Sequence, residues 1–541
     1  MIWLAKVVSF LVMLSCSSNL KLEQPPSSLR FGFLPLSHAA SPNERSIVFI
    51  SDLHFGLGKI ADDTWHKKED FRWNQALRGF LDEISARGSN KVDLVILGDF
   101  LEMWQPPDSI TCETGTADLG CTVTEMEQIA KIIVKAHSDS FALLREFSMR
   151  GDNRVHVVPG NHDSALLLEP VWKPVGEVLG MNTGRINLVK SGVWISPDGR
   201  IVAEHGHQIG LEVNRYDQWP VITQRGAKTN TEHLIRPWGE RFVQKLFNDE
   251  EQQYSIIDNL SPESAGARYR IADRGLWKTV ADMARFVAFN IFQTSLNQQI
   301  RLLGNPGDSG GRPTWNIKAA RKRGHRLFAD ALPESDPFRL SLLANSAESG
   351  ALRSELDSYA NDSQKLSDDE VRLFCDQIEV RAKTRKDVKT CDGTLGYVLE
   401  KTLVPREWVL KDHLAARIKQ FSGMRVFIYG HTHQFEEEWR LKIEGPVGLT
   451  IRVVNTGAFH RVVDEETYLK IVQAKTMSPS EGLSALEPED LPPCYTAVLV
   501  TYKSTIPEIA TMRWYMAENG TGMFLNTNDA RCYQVPTVGK K

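Results

Sequence analysis

The chain lacks a charge excess of either sign. Its 541 residues carry 64 Lys and Arg against 68 Asp and Glu, a net charge of −4 with His neutral. That balance excludes the basic footprint of a nucleic-acid-binding protein and argues against an acidic, disordered tail protein. Beyond the first fifteen residues there is no apolar run long enough to cross a bilayer, which takes about 20 residues. There is no internal repeat. Cysteine is scarce, seven in all, and none has zinc-finger spacing. Strand patterning is sparse between residues 209 and 423. What remains is the apolar content of a globular protein, long enough for two or more domains.

Five short motifs stand out along the chain: Asp52-Leu53-His54, Gly98-Asp99, Gly160-Asn161-His162-Asp163, His205-Gly206-His207 and Gly430-His431-Thr432-His433. Four of them directly follow apolar, β-branched runs, at 46–50, 92–97, 155–158 and 425–429, each of which reads as a buried strand. The fifth follows a shorter strand candidate at 200–203. Side chains two apart on extended backbone share a side, so Asp52 with His54, and His431 with His433, can turn toward one site. Carboxylate and imidazole together suit a borderline divalent metal. Asn161 adds a neutral oxygen. Each pair alone is weak, and Gly-Asp alone marks a turn. The ordered set at successive strand ends points to ligands converging on one rim of a sheet.

Helical periodicity covers 71–86 and 124–147, so strands and helices alternate to about residue 208, which predicts an α/β sheet with helices against it. Further helical candidates at 238–247, 275–303, 337–343, 368–382 and 404–420, interrupted by a Gly/Pro loop at 304–311, predict a mostly helical insertion or cap over 209–423. The sheet resumes at 425–429, 450–455 and 496–502. Residues 478–493 read as a Pro/Ser/Glu-rich surface loop, 20–44 as a tether and 516–541 as a C-terminal tail.

The motif series resembles the calcineurin-like metallophosphoesterase superfamily, whose pattern is D-x-H, G-D, G-N-H-D or -E, a His, then G-H-x-H. The resemblance covers residues 46–207 and 424–502 and leaves the insertion out. It implies an α/β two-sheet sandwich flanked by helices, with a core at 45–208 and 424–515. It also implies two divalent metals, Mn, Fe or Zn by donor chemistry. Asp52, His54 and His433 would hold one metal, Asn161, His205 and His431 the other, and Asp99 would bridge them. His162 would protonate the leaving oxygen and Asp163 would orient His162. The implied reaction is hydrolysis of a phosphomonoester or phosphodiester by a metal-bridging hydroxide.

Residues 1–15 hold one lysine, Lys6, before the apolar stretch 7–14, as in an export signal. Ser15-Cys16 resembles a bacterial lipoprotein cleavage site, although Leu14 stands where a small residue is usual. An ordinary signal peptide with an incidental cysteine is the alternative. The expectation is an exported protein of the periplasm or cell envelope, with a membrane tether through Cys16 if it is lipidated. The other six cysteines suggest disulfides; pairing of sequence neighbours as 112–121, 375–391 and 494–532 is one of the 15 connectivities that six cysteines allow, and six buried free thiols are the alternative.

The substrate is less legible. Phe100-Leu101-Glu102-Met103-Trp104 resembles the matching loop of enzymes that hydrolyse UDP-diacylglucosamine, but export and His162 argue against that branch. Trp104 is either a stacking surface for substrate or core. Arg215 is either a bidentate phosphate donor or a surface charge. His207 completes the list of substrate-contact candidates. The apolar face at 275–303 is either core or a lid for a lipid substrate. The expected partner is a phosphorylated small molecule or lipid. The competing reading is a non-enzymatic envelope scaffold on the same fold.

Overall fold

A computed structural model describes residues 45–60, 63–112, 119–209, 214–226, 230–237, 239–240, 243–244, 253–261, 406–443, 448–503 and 506–536. The expected leader and tether lie outside the described residues, as do the helical candidates at 275–303, 337–343 and 368–382.

The described residues begin with β1 (Ser46–Ile50), α1 (Asn74–Arg87), β2 (Val92–Leu97), β3 (Leu119–Thr122), α2 (Val123–Ala136), α3 (Ser138–Met149), β4 (Arg154–Val158) and α4 (Glu169–Leu179). Next come β5 (Ile186–Leu188), β6 (Val193–Ile195), β7 (Ile201–Glu204), β8 (Thr223–Arg225), β9 (Glu232–Ile235) and β10 (Leu260–Ser261). The last part holds α5 (Arg406–Gln420), β11 (Val426–Tyr429), β12 (Phe435–Ile443), β13 (Leu449–Thr456), β14 (Val463–Asp464), α6 (Glu465–Ala474), α7 (Pro479–Ala485), β15 (Cys494–Lys503), β16 (Ile506–Met516) and β17 (Gly522–Leu525).

Two sheets face one another. One is seven-stranded in the order β17-β16-β15-β1-β2-β4-β5, and the other is five-stranded in the order β12-β13-β11-β7-β6. β1, β2 and β4 run parallel, as do β7, β11 and β13. The apolar runs are continuous because both faces of these strands are covered. Alternate residues of β1 show it: Ile47 and Phe49 pack between the sheets with Ile201, Val426 and Val454, whereas Val48 and Ile50 face the helices with Leu77, Phe80 and Phe141. The outer face of the second sheet packs against α5 through Leu410 and Leu414. Each fully buried aliphatic or aromatic side chain contributes about 1.5–3 kcal/mol, so a polar residue at Phe49 or Ile428 would break the sandwich where nothing can repack. The result is an α/β two-sheet sandwich flanked by helices.

Several local expectations change. The single helix expected over 124–147 is two, broken at His137. This residue leaves the helical region, with φ −109° and ψ 27°, because its ring is drawn inward to stack on Phe55 at 4.7 Å and to meet Glu69 Oε2 at 3.2 Å. The stretch 478–493 is not a plain loop. Ser478 and Glu481 form a reciprocal cap that starts α7, and Leu483, Leu486 and Leu491 are buried; the Ser-Pro-Ser-Glu run carried that signal. The interval 209–423, expected to be mostly helical with little strand, contains three short strands among its described residues. β8 and β9 pair beside β3, and β10 pairs with β14, so these three strands of the interval join elements outside it; their runs are too short for periodicity to reveal. Residues past Met516, expected as a tail, add the edge strand β17. Disulfides join Cys112 to Cys121 and Cys494 to Cys532; Cys375 and Cys391 lie outside the described residues.

Candidate metal centre

The parallel strands end on one rim, and each motif is the turn that leaves a strand there. Asp52 and His54 follow β1, Asp99 follows β2, Asn161 and His162 follow β4, His205 follows β7, and His431 and His433 follow β11. Five of these residues sit at positive φ: Asp52 at 52°, His54 at 50°, Asp99 at 48°, His431 at 73° and His433 at 51°. Left-handed backbone is uncommon away from glycine and clusters at functional sites. The motif glycines make room. A Cβ on Gly98, itself at φ 86°, would lie 2.3 Å from His205 Cγ, and one on Gly160 would lie 2.2 Å from Asp99 Oδ1.

Two groups of donor atoms result. In the first, His54 Nε2 lies 3.2 Å from His433 Nε2, and His433 Nε2 lies 3.4 Å from Asp52 Oδ1. Asp52 Oδ1 is buried without a hydrogen bond among the described residues, while Oδ2 accepts from the Ser51 hydroxyl and from His431 N at 3.1 Å. In the second, His205 Nε2 lies 2.8 Å from Asp99 Oδ2 and 3.0 Å from Asn161 Oδ1. His205 Nδ1–H donates to Leu97 O at 2.9 Å, so Nε2 is the ring atom that faces the two oxygens. With Nε2 deprotonated, three acceptors would face one point, an arrangement that a cation between them satisfies. Asp99 Oδ2 also lies 4.0 Å from His54 Nε2, between the two groups. Asp52, His54 and His433, and likewise Asp99, His205 and His431, bring ligand atoms within 4.8 Å of one another. The donors present fit divalent metal.

A family model described as calcineurin-like phosphoesterase matches residues 45–285. Over those residues the chain is similar to that family. A comparison with curated proteins finds none that matches. Members of this phosphoesterase family typically bind two metal ions and cleave phosphate esters, and a phosphorylated substrate follows. The Gly430–His433 turn lies beyond the matched residues; β11 pairing beside β7 brings it to the rim.

The site contains a carboxylate that the motif pattern did not single out. Glu102 Oε2 accepts Nδ1–H from His162 at 2.5 Å and from His54 at 2.9 Å, and Oε1 accepts Trp104 N at 2.8 Å. Glu102 therefore takes the orienting place expected of Asp163. Asp163 instead accepts backbone N–H groups, from Gly160 at 2.6 Å, Phe100 at 2.8 Å and Leu101 at 3.3 Å. It ties the β2 and β4 turns together and does not touch the His162 ring. The sequence signal for Glu102 was its place in the Phe100–Trp104 run, three residues after Asp99.

Burial pushes the Glu102 carboxyl up, but the His162 charge and the hydrogen bonds from both imidazoles outweigh it and bring it to about 2. Burial lowers His162, and the charges of Glu102 and Asp99 more than reverse this, raising it to about 10. Burial likewise opposes a charged His205, yet Asp99 raises it to about 9. Burial and the Asp99 charge raise Asp163 to about 6 against its backbone hydrogen bonds.

The substrate-contact candidates sort differently. Trp104 is 3% exposed and stacks on His162 at 4.0 Å with 27° between the planes. It is a wall that fixes the His162 ring, which corrects the reading of Trp104 as a surface for substrate. His207 is buried with its edge on Trp219 at 4.4 Å, and burial and the His205 charge lower its pKa to about 3. Arg215 is half-buried, with its pKa lowered by burial and by Arg417. His162, His431 and His433 are only partly buried, so the site opens at these three rings.

Proposed function

We propose that the chain is an exported, dinuclear-metal phosphoesterase that hydrolyses a phosphomonoester or phosphodiester. The observation that carries this reading is Asp99 Oδ2, 2.8 Å from His205 Nε2 on one side and 4.0 Å from His54 Nε2 on the other, where a bridging carboxylate belongs. Asp52, His54 and His433 are the residues for one metal, Asn161, His205 and His431 for the second. Bound divalent metals supply Lewis acidity and make water nucleophilic at neutral pH; the donor set suits Mn, Fe or Zn.

The rest falls to the chain's own residues. His162 stands at the opening with its Nδ1 held by Glu102, which leaves Nε2 to face substrate. The two carboxylates beside it keep it protonated, so it donates Nε2–H to the leaving oxygen as the ester bond breaks. Trp104 and Glu102 hold the ring in one orientation, so little freedom is lost at that step. Arg215 is a candidate donor to a phosphate oxygen.

Export is supported by the apolar stretch after Lys6 and by disulfides in the folded part. Cys16 is the candidate lipid attachment point, residues 17–44 the tether, and the cell envelope the location. Protein loaded with Mn or Zn, assayed on an aryl phosphate and an aryl phosphodiester, tests the activity. Turnover of neither substrate by protein holding two metals per chain would refute it. A mature N-terminus read by mass spectrometry tests export; retention of residues 1–15 in the secreted fraction would reject the leader.

A further inference from the structure

A further imidazole borders both His54 and His433. The His460 ring is 5.1 Å from the His433 ring and 6.0 Å from the His54 ring, edge-on to both, while His162 is 4.8 Å from His54. His460 is 1% exposed. The loop that carries it is tied to the metal turns. Phe459 N donates to Ser51 O at 2.8 Å, Ser51 Oγ lies 2.9 Å from Gly457 O, and Asn455 Nδ2 donates to Thr432 Oγ1 at 2.9 Å. Phe459 anchors the loop against Phe80 at 4.7 Å.

The two ring nitrogens differ. Nδ1 lies 3.4 Å from Asn259 Nδ2, an amide nitrogen that also donates to Arg461 O at 2.7 Å. An amide N–H is only a donor, so Nδ1 is the acceptor and the ring proton sits on Nε2. That Nε2 has no hydrogen-bond partner among the described residues. A buried N–H without an acceptor is rare and marks a place for a ligand or water. Nor does His460 belong to any of the groups whose ligand atoms lie within 4.8 Å of one another. It borders the donor cluster without completing it.

We propose that His460 donates its Nε2–H to a phosphoryl oxygen held at the centre, beside His54 and His433, a role that rests on the phosphoesterase reading. Asn259 is the positioning residue that sets the tautomer.

Calorimetric titration of the metal-loaded full chain with inorganic phosphate tests this, alongside metal content. His460→Ala is expected to weaken the Kd for phosphate about tenfold to a hundredfold with metal content at the wild-type level. His460→Gln, whose amide nitrogen reaches about as far as Nε2, is expected to recover part of that loss, and the shorter His460→Asn is not. Unchanged phosphate affinity in a metal-replete His460→Ala protein overturns the proposal. So does loss of metal from folded His460→Gln, which would place His460 among the ligands. Absence of metal from the wild-type protein after loading would overturn the phosphoesterase reading itself and this role with it.

Discussion

Asp52, His54, Asp99 and Asn161 come from the first sheet and are buried, with Ser51, Glu102 and backbone N–H groups gripping three of them. His431 and His433, carried by the second sheet on β11, are only partly buried. The first sheet thus presents a preorganised half of the site, whose donors keep their geometry through neighbouring hydrogen bonds. The second sheet closes it from a turn held to the first sheet by the His431 N–Asp52 Oδ2 bond and the Asn455–Thr432 contact. The lesson is that ligation and orientation reside in different residues, and substitutions should separate them.

The harshest break is Asp99→Ala. Its oxygen lies between both donor groups, so metal content should fall below half of wild type, with a rate loss beyond the 10²–10⁴-fold, roughly, that general-acid removal causes. Elemental analysis beside an aryl phosphate assay checks it, and two retained metals would contradict the bridging position. His162→Ala comes next. It should cost about 10²–10⁴-fold in kcat with metals retained; turnover at the wild-type level would remove the acid role.

Glu102→Gln sharpens the comparison, because one carboxylate serves His162 and His54 together. Loss of its charge should cost about 10–100-fold in both activity and metal affinity, whereas His162→Ala should affect activity alone. Competition with a coloured chelator reads the affinity. Equal metal affinity in Glu102→Gln and wild type would restrict Glu102 to the acid.

The smallest effect lies beneath the first sheet's half. Burial raises the Asp93 carboxyl, but hydrogen bonds and charges from His156 and Arg45 win and bring it to about 2. A depressed folded-state pKa adds stability that is complete above the unfolded value, near 3.8, and is lost as pH falls through 2. Arg45 sits 2.6 Å from Asp93, and the shift corresponds to about 2 kcal/mol. Arg45→Met should therefore lower the melting temperature at pH 6 by a few degrees and narrow the gap between pH 6 and pH 2. An unchanged gap would show that His156 alone suffices.

Legibility tracked the range of the interactions. β1 and β2 were readable to the residue because burial on both faces forces unbroken apolar runs. The ligand types were readable because metal chemistry admits few side chains at those turns. Glu102 was not, since a carboxylate near Asp99 looks like any other until His162 and His54 turn their Nδ1 atoms to it. Asp163, adjacent to His162 in sequence, was the natural candidate, but the backbone of Phe100 and Gly160 claims it. His460 had no metal-ligand spacing to mark it, and the break at His137 depends on Glu69 and Phe55, distant in sequence.

Residue order and type, without coordinates, determined the sandwich's strands, the donor atoms available and the chemistry they suit, because solvation and ligand preference act on each side chain locally. Only the tertiary structure decided that strands 426–429 and 201–204 lie side by side, that Asp99 stands between two clusters, and which carboxylate and which further imidazole flank His54. Those are pairings across long loops, chosen by packing and hydrogen bonding that no local pattern encodes.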